Sequence, residues 1–404
     1  MHPRSVKAHI LRDYRLNGWE EEIAGRWSYR ELASHEEWFK GWISFDTVTW
    51  NSHDQRLYCG LNSMDGDLLY RFDPGAQTFE SMNTRQWADP FDVKIHRTLL
   101  LNPRDRCFYF ATSLLHDLDQ QDEAKGGKLV RFDPRTGTFR LIGVPAKHLY
   151  IQSIAADWKR EIIYAFTYPA EAVYRVSLAS GEASLAAYLT NATMFVQPHN
   201  AVVDKEGWLW ATCAETRAWD ETVGREPVRL FKYHPEGDRF VWFDYGLSRK
   251  SHRKQLLADP PAPEGISSAL DATRHRDDFG FCDSMAYDGE STIYAGTVAG
   301  VLARIDTGSG KVEKVANVTA TGRLPALAFK DGVLYGAGGM NGHTQLIRWD
   351  TRTDRIEGCT DLSDPALNER PARVHDLAID DDHRLYLAEN DNHRRSSYLW
   401  EVQL

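Results

Sequence analysis

A strand, a tight turn and a second strand recur along this chain at near-regular spacing. That recurrence limits the available folds more than any other feature. The clearest copy is Leu69-Tyr70-Arg71-Phe72-Asp73-Pro74-Gly75-Ala76-Gln77-Thr78-Phe79, which returns as Leu129-Val130-Arg131-Phe132-Asp133-Pro134-Arg135-Thr136-Gly137-Thr138-Phe139. Weaker copies start at Val173, Leu230, Leu302 and Leu346. Asp, Pro and Gly between alternating apolar residues supply the turn chemistry of a hairpin. A half-copy, Ser397-Tyr398-Leu399-Trp400-Glu401-Val402, stands at the C-terminus.

Ahead of each copy lies a strand centred on an aromatic residue: Tyr58, Tyr109, Tyr164, Trp210, Tyr294, Tyr335 and Tyr386. Ahead of each of those lies another apolar strand, beginning near Trp42, Ile95, Ile151, Asn200, Ser284, Leu324 and Val374. Seven four-stranded units of this kind predict an all-β, seven-bladed β-propeller. The strand Val6–Leu11 is expected to supply the missing outer strand of the last blade and so close the ring without exposed edges. No linker divides residues 1–404, so a single domain is favoured over two β-sandwiches. The longest insertion, about 246–280, reads as a surface excursion.

In a propeller the innermost strands begin at one mouth of the central channel. Counting back 11 to 13 residues from each aromatic marker gives Asp46, His96, Gln152, His199, Asp283, Arg323 and His375. Every one is polar, where a buried strand start would tolerate apolar residues. Loop residues expected on the same face include Asn62, His116, Tyr168, Glu215, Arg217, His343 and the run Glu389 to Arg395, which holds Asn390 and Arg394. Each histidine could equally be a channel-lining residue satisfied by water or backbone. The stretch Lys94 to His116 reads as two apolar strands that bring His96 and His116 to one mouth.

The 58 acidic residues outnumber the 48 basic ones, giving a net charge of −10. A field for nucleic acid is therefore absent. An anionic substrate would need local Arg or His. Five widely spaced cysteines form no CxxC pair, which argues against a cysteine-ligated metal. With no apolar run long enough to span a bilayer and no signal-like N-terminus, a cytoplasmic protein without a membrane partner is the expectation. No GxSxG, P-loop or HExxH motif occurs. No cofactor is required by these motifs, although histidines around a channel are compatible with a transition-metal ion.

Three segments carry a resemblance. Lys94-Ile95-His96 with Thr112-Ser113-Leu114-Leu115-His116, the Gly126-Gly127-Lys128-Leu129-Val130-Arg131-Phe132-Asp133-Pro134 turn, and Glu389-Asn390-Asp391-Asn392-His393-Arg394-Arg395 through Glu401 resemble seven-bladed propeller carbohydrate enzymes. These are the ulvan lyases, the L-rhamnose-α-1,4-D-glucuronate lyases and a related α-L-rhamnosidase family. The resemblance implies β-elimination on a uronate-containing glycan, with a group to neutralise the carboxylate, a base and an acid. It implies catalytic roles for His96 and His116 and for a tyrosine, with Tyr150 nearest and Tyr168 next. Gln152, Tyr168, His199, Asp283, Arg323, His375, Asn390 and Arg394 are the expected sugar-binding residues. The arginine of those families is missing from the second strand of blade three, where Phe166-Thr167-Tyr168-Pro169 stands. A rhamnosidase-like hydrolase and a non-catalytic binding propeller are the alternatives.

Overall fold

The computed structural model describes residues 1–15, 28–168, 170–190, 200–214, 228–244, 282–319, 323–339, 343–360, 362–390 and 395–404. They form seven antiparallel blades in a ring, a seven-bladed β-propeller. Blade one holds Ile43–Asn51, Arg56–Ser63, Leu69–Asp73 and Thr78–Ser81. Blades three, five and six repeat that order from Tyr150–Asp157, Cys282–Tyr287 and Ala326–Lys330. Blade four opens on the short strand Val202–Val203. Blade seven contains Val374–Ile379, Leu385–Glu389 and Tyr398–Gln403, and Ser5–Ile10 is its outermost strand. That strand pairs antiparallel from Ser5↔Gln403 to Ile10↔Tyr398, so the first and last strands close the ring together.

The turns follow the repeat chemistry. Asp73 Oδ1 accepts from the amides of Gly75 and Ala76, at 2.8 and 3.1 Å. Asp133 and Asp350 do the same for Arg135 and Arg352, both at 3.0 Å. A short acidic side chain bonding its own turn is what lets the hairpin reverse tightly.

Packing lies between the blades. Seven apolar clusters each join two neighbours. Alternation along each strand sends successive side chains to opposite sides: Leu57 and Cys59 face blade seven, while Tyr58 faces blade two. All seven aromatic markers sit in second strands and are buried. Burying a ring of that size is worth about 2–3 kcal/mol, so the markers hold neighbouring blades together.

Blade two departs from expectation. Residues 94–101 do not form one strand. Asp92–Lys94 and Leu100–Leu101 are separate, with 95–99 outside the ladder. The first piece is captured between blades, with Lys94 opposite both Asn62 and Ser113. The Thr98 hydroxyl replaces part of the lost ladder, donating to the Ala111 carbonyl at 2.9 Å and accepting from its amide at 3.2 Å. His96 and Arg97 fall in this break. The 246–280 insertion lies outside the described residues.

Candidate functional site: a polar ring made by bulges, beneath an aromatic rim

Four innermost strands skip one residue each as they pair with the second strand. In blade one, Phe45↔Leu61 is followed by Thr47↔Gly60, leaving out Asp46. The same break leaves out Gln152, Asp283 and His375 in blades three, five and seven. A bulge re-aims a side chain and frees its peptide group from the ladder. All four residues are buried. Their near-constant offset from the aromatic markers therefore has a structural cause.

The carbonyls released by the bulges are taken up from the preceding blade. His375 of blade seven donates Nδ1–H to the Asp46 carbonyl of blade one at 2.8 Å. His96 of blade two donates to the Gln152 carbonyl of blade three at 2.7 Å. Asn200 of blade four reaches the Asp283 carbonyl of blade five at 3.5 Å. A carbonyl only accepts, so these contacts place the proton of both imidazoles on Nδ1 and make Nε2 the lone-pair nitrogen.

The carboxylates complete the ring. Asp46 accepts from Asn390 Nδ2 at 3.0 Å and from His375 Nδ1 at 2.6 Å. It pairs with Lys94 Nζ at 3.0 Å, and His96 Nε2 lies 3.8 Å away. Asn390 is fixed in turn by Asn62 and Ser44, at 3.0 and 2.7 Å. Asp283 receives a two-pronged contact from Arg323, at 2.6 and 2.5 Å.

Arg97 crosses the channel. Its φ of +42° is uncommon for a residue with a side chain. From blade two it donates to the Asp283 carbonyl and stands 3.4 Å from the Asp283 carboxylate in blade five. Its Nε lies 3.3 Å from His375 Nε2 in blade seven. It is 5% exposed, yet Nη2 has no hydrogen-bond partner among the described residues.

Burial dominates the titration of the histidines. It holds His96 and His375 well below the usual imidazole range, and nearby Lys94 and Arg97 push the same way. Both are neutral at physiological pH. Burial alone would raise the Asp283 carboxyl, but the attraction of Arg323 and Arg97 outweighs it and holds the group well below the usual range.

Three expected site residues lie apart from this ring. His116 follows the Ser113–Leu114 strand and so sits on the Phe91 side of Asp92–Lys94, away from His96 beyond Lys94. Its Nδ1 donates to the Asp117 carbonyl at 3.0 Å, and its ring stands edge-on to Phe91 at 6.1 Å. Tyr150 packs on the same Phe91, Leu114 and Ala124 cluster. It faces Tyr168 with ring centres 4.7 Å apart. His116, Tyr150 and Tyr168 are each partly exposed. The expectation of both histidines at one mouth resolves into two levels, with His96 in the buried polar ring and His116 in a partly exposed aromatic rim. The separation arises because the broken strand turns its two ends toward different partners. His199, Arg394, Glu215 and Arg217 lie outside the described residues, and His343 is exposed. Arg395, at the end of the Glu389 run, is buried against Glu369, Glu389 and Tyr398.

Arg97 and Lys94 are functional candidates that spacing did not single out. The available signal was an arginine inside the apolar run Ile95–Leu101, where an unpaired charge is prohibitive. Among the described residues, the side chains able to hold a metal are Asp46, His96 and His375. One donor atom from each lies within 4.8 Å of the others.

No family model and no curated protein matches this chain. Solved structures do. The extracellular domain of a putative one-component system from B. thetaiotaomicron is 14% identical with a TM-score of 0.53, over 89% of this chain and 38% of that one. The corresponding domain of a putative hybrid two-component system matches with 13% identity, a TM-score of 0.53 and the same coverage. The chain thus spans little more than a third of those structures. At this identity they show the fold alone: the chain is a seven-bladed β-propeller.

Proposed function

We propose that this mouth of the propeller takes a uronate-containing glycan and cleaves it by β-elimination. The observation that carries the reading is Arg97. An arginine missing from blade three is supplied at the axis by blade two, buried and with Nη2 lacking a partner. Lys94, Arg97 and Arg323 face Asp46 and Asp283, with Asp376 also acting on Arg97. A uronate carboxylate neutralised there loses its C5 proton more readily. The accessible acid–base groups are those of the rim. His116 donates through Nδ1 to a carbonyl, which makes Nε2 its basic nitrogen and suits it to take the C5 proton. Tyr150 then protonates the leaving glycosidic oxygen. Aromatic faces such as Tyr150, Tyr168 and Phe91 suit the apolar faces of a sugar.

The test is incubation with a panel of glucuronate-containing glycans. The appearance of the ultraviolet absorbance of an unsaturated uronate is expected, and its absence across the panel would sink the reading. Products heavier by one water would instead identify a hydrolase. A second reading, a non-catalytic binding propeller, is favoured by the burial of Asp46, His96, Arg97, Asp283 and His375. It also fits the extracellular sensor domains named by the similar structures. Saturable glycan binding without turnover would establish it.

A further inference from the structure

We infer that the outer strand of blade three, Ala183–Thr190, pairs edge to edge with the same strand of a second copy of this chain, giving a two-fold dimer. This assignment stands apart from the lyase reading, because it uses no residue of the propeller mouth and is tested without substrate.

An outer strand leaves one row of peptide groups without a ladder partner, and proteins guard such an edge with charge or with short length. Six of the seven outer strands follow that rule. They run four to six residues and each carries a charge: Glu80, Arg140, Arg239, Glu313, Arg355 and Lys7 in blades one, two, four, five, six and seven. Blade three is the exception. Its outer strand has eight residues, Ala183-Ser184-Leu185-Ala186-Ala187-Tyr188-Leu189-Thr190, and none is charged. No strand of the described residues pairs with its outer edge.

Bulges often twist an edge out of reach, but here they gather its apolar side chains. The ladder passes from Tyr174↔Leu185 to Val173↔Ala187, leaving out Ala186, and from Ala172↔Tyr188 to Glu171↔Thr190, leaving out Leu189. Ala186 and Leu189 turn to the core between blades three and four. Leu185 and Tyr188 become second neighbours along the ladder, so they share one face, and each is more than half exposed. The strand therefore presents a free backbone edge beside an apolar pair.

The occupant follows from charge and from register. A partner recognised by charge finds no countercharge on this strand. The net charge of −10 repels two copies elsewhere, and an uncharged strand is where they can approach. The strand is also complementary to itself. Antiparallel pairing about a two-fold axis between Ala186 and Ala187 sets Leu185 of one copy opposite Tyr188 of the other, twice over and on one face. Aliphatic–aromatic pairs of this kind stabilise neighbouring strands, and main-chain hydrogen bonds across the joined edges add to them.

The experiment is sedimentation velocity of the full chain over a range of concentrations, where a reversible monomer–dimer equilibrium is expected. Leu185→Lys combined with Tyr188→Lys places like charges opposite one another. It should give a monomer at every concentration, with circular dichroism and Tm little changed because both side chains are exposed. Tyr188→Lys alone gives the same direction should the double variant fail to fold. Leu185→Lys combined with Tyr188→Glu removes the same apolar area but sets opposite charges together. It should dimerise more than the double-lysine variant, most clearly at low salt. Ile356→Lys, on the outer strand of blade six, should leave the dimer unchanged. The inference is overturned by a chain that stays monomeric throughout, by a dimer that survives the double-lysine change, or by equal loss of dimer in both double variants. A monomer whose edge instead binds an extended apolar peptide would assign that edge to another chain and equally overturns self-pairing.

Discussion

Blade two and blades one, three, five and seven solve one problem in two ways. Each of the four drops a single residue from its innermost strand and turns one side chain, with its carbonyl, into the channel. Blade two drops five and delivers both His96 and Arg97. A single bulge can only re-aim a residue locally. A five-residue break lets a guanidinium travel from one side of the ring to the other. The regular bulges build the ring, and the irregular blade ties it across.

The largest test of this difference is Asp283→Ala. It strands Arg97 and Arg323 in a buried setting, so a loss of about 3–5 kcal/mol is expected in denaturant unfolding. A loss below about 1 kcal/mol would show that the crossing arginine is not anchored in blade five. The same carboxylate gives a pH signature. Its folded pKa is lowered. Its contribution is therefore fully present above the unfolded carboxyl value of about 4 and is lost as pH falls from there through the lower folded value. Asp283→Asn should lack that acid-side slope, read from unfolding midpoints at a series of acidic pH values.

Arg97→Met ranks next. Asp283 keeps Arg323, so stability should fall by only about 1–3 kcal/mol. Turnover of a uronate glycan should fall far more, because the carboxylate loses its partner. Equal activity in the variant would assign Arg97 to structure alone. The smallest effect belongs to Thr98→Val, which removes a hydroxyl standing in for ladder partners. About 1 kcal/mol is expected, and a larger cost would mean that the break is held chiefly at Thr98.

The rim offers a contrast in activity. His116→Ala should abolish elimination with little change in Tm, since the side chain is partly exposed and its recorded hydrogen bond is to a neighbouring carbonyl. His96 and His375 join blades through buried contacts, so their replacement should lower Tm as well.

Much of the fold was legible from local chemistry. The Asp-Pro turns, the aromatic markers and the closing strand all depend on contacts within one blade or on period-two alternation, which sequence carries directly. The ring residues Asp46, Gln152, Asp283 and His375 were legible for a related reason. A polar residue at a repeated offset in an apolar strand needs a repeated structural exit, and the bulge is that exit.

Other features were not legible. Lys94 to Leu101 has the pattern of an ordinary strand, and its opening goes with Lys94 pairing at once with Asn62 of blade one and Ser113 of blade two. His96 and His116 look like one pair in a two-strand pattern, yet the opening sends them to different levels. The span of Arg97 to Asp283 joins residues 186 positions apart. The sequence by itself determined the number of blades, the closing strand and which residue types line the channel, because each follows from local periodicity. Only the tertiary structure decided which of those residues meet, because charges buried at a shared axis must find their partners across the ring, and no local pattern records which blade supplies them.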